Sequence, residues 1–444
     1  MIRKALIAAS TLVAAGLAIQ PLVASDLDTT EDAPSQLASI SPFENVPDEV
    51  LGGSSTFVPL SPVRVLDTRS GIGGVPSAKV GDGAGGGAAL EFTIAGQGGL
   101  PASAAAIGAV SLNVTAVGVE TGDVGGYLTV YPCGTQPNAS NLNFFNGQIV
   151  PNAVITPVSS TGKVCFYVYG KSHILADVNG YMPAGGGFAP LSPGRLFDTR
   201  DGSGGVAKSK VGDGAGNGTA LEFDVSGKGG LPSTATNIGA VSLNVTVVNS
   251  QAPNEGGYVT VYPCGTRPTV SNLNFISGQT VPNAVVTPVS STGKVCFYVY
   301  GKADLIADVN GYFGTTGFSS VSPARIMDTR DGTGGVARAK VGDGAGGGTA
   351  LSFTVIGKGG VPTSGVSAVT LNVTVVNGQA PSVGGYVTVY PCGTRPTVSS
   401  LNFVNGQTVP NAVVAPLSNN GKVCFYVYGK ADLIADVSGY FPIG

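Results

Sequence analysis

Residues 163–182 read KVCFYVYGKSHILADVNGYM, and nearly the same string returns as KVCFYVYGKADLIADVNGYF at 294–313 and KVCFYVYGKADLIADVSGYF at 422–441. Inside it, VCFYVY alternates. Cys165, Tyr167 and Tyr169 share one side of an extended chain, and Val164, Phe166 and Val168 share the other. Period two is the signature of a β-strand. The recurrence, at a spacing of about 130 residues, makes the chain three copies of one unit. That spacing exceeds the roughly 20–50 residues of solenoid and propeller-blade repeats, so each unit is expected to own a core.

Working outward, the first unit opens at Phe57 with FVPLSPVRVLDTR, the second at Phe188 with FAPLSPGRLFDTR and the third at Phe318 with FSSVSPARIMDTR. The units therefore run over 57–183, 188–313 and 318–444. Short Gly-containing connections imply that adjacent units touch, and the array reads as a semi-rigid rod. In the first unit, short strands are expected at 62–66, 89–95, 109–117, 127–131, 141–145, 153–158, 164–169 and 174–178, set off by Gly, Pro and Asn turns. No stretch sustains a 3.6-residue apolar period. The expected fold is all-β: three tandem β-sandwiches of jelly-roll or immunoglobulin-like type.

Composition agrees. Charged residues make up 11% of the chain and there are 69 glycines, against about 25% charge in an ordinary soluble domain. A net charge of −3 gives no general attraction to nucleic acid or anionic lipid. The first 25 residues have the form of a signal peptide. Arg3 and Lys4 precede an apolar run that ends at Gln20 and Pro21, and Ala24 and Ser25 offer a cleavage point. The expectation is export, to the cell surface or beyond, with no membrane span after cleavage. Residues 26–56 hold seven acidic and no basic side chains and read as a flexible leader.

Six cysteines fall two per unit, Cys133 with Cys165, Cys264 with Cys296 and Cys392 with Cys424, always 32 apart. In an exported chain such a set reads as disulfides. Fifteen pairings are formally open, and pairing within each unit is the one that uses a single geometry three times. Closing such a loop stabilises each unit by roughly 3–4 kcal/mol on the chain-entropy model. Zinc would need more ligands than two Cys without His. In YLTVYPC, Tyr127, Thr129, Tyr131 and Cys133 also share a side, so the disulfide should bring two tyrosine-bearing faces together.

The ordered motifs SPVRVLDTR, SLNVT, GGYLTVYPCG, SNLNF, GQIVPNAV and ADVNGYM resemble a tandem repeat of exported and surface proteins in actinobacteria and some marine bacteria. The resemblance covers nearly all of 57–441. It implies an accessory or surface-structural role and supplies no ligand or catalytic residue.

Candidate sites are few. Asp67 and Arg69, with Arg64 before them, could form an anion site or a turn with a structural ion pair; the second reading is preferred. Tyr127, Tyr131, Tyr167 and Tyr169 could pack or form a binding platform. GDGAGGG at 81–87 matches a dinucleotide fingerprint by letter but lacks the strand–helix context, and reads as a flexible hairpin loop. A calcium site at Asp82, joined by Asp177, is thinly provided with carboxylates. His173 is the single histidine, so the units cannot share a Ser-His-Asp mechanism. Asp67 and Asp177 recur in every unit, but nothing in the sequence brings them together as a hydrolytic pair. Asn113, Asn244 and Asn372 lie in NVT sequons and read as strand residues. No enzyme, metal or cofactor is expected. The expected function is cell-surface structure, adhesion or matrix attachment, through a surface polymer or protein. A carbohydrate-binding array is the alternative, and a secreted hydrolase the remote one.

Overall fold

The computed structural model describes residues 56–444. The expected signal peptide, and the expected leader up to residue 55, lie outside the described residues. Each unit carries eight strands. In the first they are β1 (Val58–Asp67), β2 (Leu90–Thr93), β3 (Ile107–Glu120), β4 (Gly126–Pro132), β5 (Leu142–Phe144), β6 (Val150–Pro157), β7 (Lys163–Tyr169) and β8 (Lys171–Pro183). We give the matching strands of the other units the same numbers. The chain is all-β: six four-stranded antiparallel sheets, paired into three units. Within a unit the sheets have the orders β1-β8-β3-β6 and β2-β7-β4-β5. The ladders are nested: β1 pairs β8, β2 pairs β7, β3 pairs β6 and β4 pairs β5.

Alternation explains the core. Leu112, Val114 and Ala116 of β3 meet Leu128 and Val130 of β4, Phe166 and Val168 of β7 and Val178 of β8 in one buried cluster. The other units repeat it. Yet β3 is buried on both faces: Ser111, Asn113 and Thr115 are as inaccessible as their apolar neighbours. A polar strand face that escapes water must be covered by something that can hydrogen-bond to it. The cover is the next unit.

The three units do not form a rod. Asn152 Nδ2 donates to Asn244 Oδ1 at 2.8 Å, Asn283 to Asn372 at 2.8 Å, and Asn411 to Asn113 at 2.9 Å, so first binds second, second binds third and third binds first. This closed cycle defines a pseudo-threefold axis. The strands at the axis are the three β6 edges, Val150–Pro157, Val281–Pro288 and Val409–Pro416. An edge strand leaves outward backbone groups unpaired. Here the Ala153, Ala284 and Ala412 amides donate to the Oδ1 of Asn411, Asn152 and Asn283 from the neighbouring unit, at 3.0–3.1 Å. Below this triangle lies a second apolar cluster shared by all units, built from Phe57, Phe188, Phe313, Phe318 and Phe441 with Ile155 and Val414. Each unit thus owns a core, and all three also own one jointly.

Gly180 shows how tightly that end is packed. A Cβ there would sit 2.2 Å from the Phe57 ring and 2.7 Å from the Val58 carbonyl, and Gly311 and Gly439 make the same room for Phe188 and Phe318. The two Cys of each unit are bonded, Cα to Cα 4.9 Å. Tyr127 faces Tyr169 and Tyr131 faces Cys165 as partners on adjacent strands, so the two tyrosine-bearing sides meet as neighbours on one face of one sheet. Because ladder pairing already restrains these strands, reducing the bonds should lower stability by about 3 kcal/mol per unit. Thermal melts with and without a thiol-free reductant measure this, and an unchanged midpoint would contradict it.

Candidate functional site

The Asp67 cluster is a closed ion network. Arg69 donates to Asp67 from its backbone N (2.9 Å), Nε (3.0 Å) and Nη2 (2.7 Å), while Arg64 Nη1 reaches the same carboxylate at 3.2 Å. Arg64 also forks onto Asp177 through Nε and, at 3.1 Å, through Nη2. The fold therefore does bring Asp67 and Asp177 together, but with an arginine between them and both carboxylates engaged. Asp177 is buried, and the Ser399 backbone of the third unit helps to hold its charge. Ser140 stands in that relation to Asp308 and Ser271 to Asp436. The laddered neighbour of each aspartate, Asn113, Asn244 or Asn372, donates at 2.7 Å to the carbonyl of that same serine. A carboxylate and a carboxamide of one unit thus meet the backbone of one residue in the next. These motifs hold units together.

Burial by itself would raise the Asp67 carboxyl, but the hydrogen bonds and charge of Arg69, with the charge of Arg64, hold it below the usual carboxylate range. A depressed folded-state pKa stabilises above the unfolded value and loses that contribution as pH falls through the folded one. The difference in stability between the wild type and Asp67→Asn should therefore be full at neutral pH and shrink below about pH 4. Urea midpoints of both proteins between pH 7 and pH 2 measure it, and a pH-independent difference would refute the assignment. At Asp177, burial pushes the carboxyl up, against the pull of Arg64 and the Ser399 backbone.

The GDGAGGG loop turns inward. Asp82 Oδ1 accepts the Ala84 and Gly85 amides at 2.9 and 2.8 Å, so these donors serve the loop itself rather than a phosphate. Tyr167 donates its hydroxyl to the Gly85 carbonyl at 2.6 Å, and a Cβ on Gly85 (φ +86) would lie 2.4 Å from the Tyr169 ring. The loop is thus a fitted cover, tied down where a flexible hairpin was expected. It buries Tyr167, and Tyr131 is buried beside it; Tyr127 and Tyr169 stay half-exposed and stack at 5.3 Å. In units two and three a guanidinium adds to the cover, Arg267 over Tyr298 and Arg395 over Tyr426, each at 3.6 Å. Gln136 occupies that position in the first unit.

A larger feature was not anticipated. Opposite the phenylalanine cluster, the axis opens into a basin of about 1390 Å³ lined by all three units. Pro151, Pro282 and Pro410, each one residue before an asparagine of the central triangle, lie in its lining. Its rim carries Phe145, Ile276 and Val404, equivalent residues that are 40%, 59% and 51% exposed. Turns following β5 shape that rim, each held by a glutamine whose Oε1 accepts a backbone amide: Gln148 from Phe145, Gln279 from Ile276, Gln407 from Val404, at 2.9–3.0 Å. Among the described residues Glu255 is the one charged side chain in the lining. The sequence signal was present in the recurring GQ before IVPN or TVPN, but only ring closure turns three separate loops into one wall.

No family model and no curated protein matches the chain. Among solved structures it is similar to the N-terminal CBM22-1–CBM22-2 tandem domain of Xyn10C from Paenibacillus barcinonensis, at 11% identity over 52% of this chain and 86% of that one, with a TM-score of 0.17. Three disulfides fit an extracellular protein, and no helix among the described residues is long and apolar enough to cross a membrane.

Proposed function

We propose that this is an exported, non-catalytic binding protein, serving cell-surface structure, adhesion or matrix attachment by holding a surface polymer or protein. The observation that carries the reading is the fate of the recurrent charged residues. Asp67, Arg64 and Asp177, with their counterparts, are committed to ion pairs and to the seams between units. An acid–base pair needs free, differently tuned groups facing a cleft, whereas the open basin is nearly uncharged. We read each unit as a jelly-roll sandwich, which the nested ladders β1·β8, β2·β7, β3·β6 and β4·β5 support. The ring makes the three units one rigid binding body instead of three independent modules.

The carbohydrate-binding reading has an observation of its own. Every unit presents a stacked tyrosine pair, Tyr127–Tyr169, Tyr258–Tyr300 and Tyr386–Tyr428, with centroids 5.2–5.3 Å apart. Pull-down from cell-surface extracts with the mature chain as bait tests the main proposal, and the expected result is saturable capture of a surface component. A broad hydrolase screen is the counter-test. Turnover of any polymer, abolished by Asp67→Asn or Asp177→Asn, would overturn the non-catalytic reading.

A further inference from the structure

We propose that the axial basin, together with the Tyr386–Tyr428 stack at its edge, is a binding site for an uncharged glycan chain. The proposal rests on the reading of the protein as a non-catalytic binder and names where and what it binds.

The basin's polar chemistry is one-sided. Gln148, Gln279 and Gln407 each spend their side-chain oxygen on a backbone amide of their own turn, which leaves the Nε2 group without a partner among the described residues. Asn143, Asn274 and Asn402 likewise have Oδ1 held by the hydroxyl of Ser140, Ser271 and Ser399, at 3.1–3.2 Å. All six residues line the basin. With their oxygens engaged they offer oriented N–H donors, two N–H groups from each amide. A wall of fixed donors suits a ligand rich in oxygen acceptors. Acceptor-rich ligands are neutral polyols or anions, and charge decides between them. Among the described residues no lysine or arginine lines the basin, and the one carboxylate there, Glu255, repels anions. An anionic polymer would leave its charges unpaired in a partly desolvated site.

Size and asymmetry point further. The basin, at about 1390 Å³, exceeds the roughly 300–1,000 Å³ typical of small-molecule pockets, which favours a polymer segment over a metabolite. It also runs out toward one unit. In the second unit Tyr300 gives its hydroxyl to Glu255. In the third, Val383 stands at that position, the Tyr428 hydroxyl has no such partner, and Tyr386 and Tyr428 both join the lining. A chain leaving the basin there would meet a flat aromatic pair, stacked at 5.2 Å, against which the apolar face of a sugar ring can pack.

The test uses the mature full-length protein in affinity electrophoresis and on an array of neutral polysaccharides (β-glucan, mannan, xylan, galactan) and acidic ones (alginate, sulfated galactan). The triple variant Gln148→Glu, Gln279→Glu, Gln407→Glu keeps each turn's acceptor and removes the free N–H groups; thermal melting and circular dichroism confirm that it folds. The expected result is retardation by a neutral polysaccharide, weakened about tenfold or more by the triple variant and by Tyr386→Ala with Tyr428→Ala, since each lost hydrogen bond or stack is of order 1 kcal/mol. Neutral-glycan binding that survives both basin variants would overturn the site and leave the carbohydrate reading standing. Binding to acidic polymers alone, or capture of a surface protein with no glycan bound, would overturn the proposal while leaving the adhesive role intact.

Discussion

Replacing Asn283 by Leu should cost the protein about 4 kcal/mol or more of stability, although the substitution preserves size and adds apolar surface. Asn283 is fully buried and makes three hydrogen bonds. Nδ2 donates to the Asn272 carbonyl at 2.6 Å and to Asn372 Oδ1 at 2.8 Å, and Oδ1 accepts the Ala412 amide at 3.0 Å. Leucine can replace none of them. A carbonyl, a carboxamide oxygen and an edge-strand amide would lose these bonds in a site closed to water, at about 1–3 kcal/mol each. Two of the three partners belong to the third unit, so the damage falls on the seam between the second and third units. The wild type should unfold in urea as one transition, because the three units share the phenylalanine cluster and the asparagine triangle. In the variant the midpoint should fall, and the transition should broaden or split as the ring opens at one seam. A midpoint shift worth less than about 1 kcal/mol with an unchanged slope would show that the triangle is incidental to the assembly.

How much of this could be read from the chain alone is clearest at particular strands. Alternation in VCFYVY correctly separates Phe166 and Val168, which enter the core, from Tyr167 and Tyr169, which do not. The same rule in SLNVT identifies Asn113 and Thr115 as a shared face but says nothing about what lies against it. Solvent is the default partner for such a face, and here the partner is another copy of the fold. Asn152 within VPNAV posed the same problem: a carboxamide in the middle of an apolar edge strand satisfies no local rule. That inconsistency was itself the signal. Three units whose edge strands all carry one buried amide can satisfy those amides by meeting one another, and a rod would leave the terminal copies unmatched. The basin was less legible still. Phe145, Ile276 and Val404 are unremarkable turn residues until the ring places them around one opening. The disulfide separation was visible in the sequence, but that Cys133, just past the end of β4, lies beside Cys165 of the adjacent β7 was not, because strand order does not follow chain order.

A second large effect should follow from Asp177→Ala, about 3–5 kcal/mol of lost stability, the range for removing one partner of a buried ion pair. The substitution leaves the Arg64 guanidinium without its bidentate partner and removes the carboxylate that meets the Ser399 backbone of the neighbouring unit. Removing both members of the pair separates these contributions. In Arg64→Met with Asp177→Ala the unpaired charge is gone, so the double variant should recover part of the loss. It should not recover all of it, since the Ser399 backbone still lacks its carboxylate neighbour and Asp67 loses its contact with Arg64. Urea unfolding of the wild type, both single variants and the double closes a cycle whose coupling energy should lie at about 1–3 kcal/mol. If the single and double losses simply add, the pair has no mutual energy, and the recurrence of Arg64 and Asp177 needs another cause. If the double variant is fully restored, the carboxylate beside Ser399 contributes nothing and Asn113 alone holds that residue. The intermediate outcome is expected because Asp177 answers to two demands at once. It neutralises the arginine within its own unit, and it presents a carboxylate to the backbone of the next, so that folding a unit correctly also prepares the surface on which its neighbour closes.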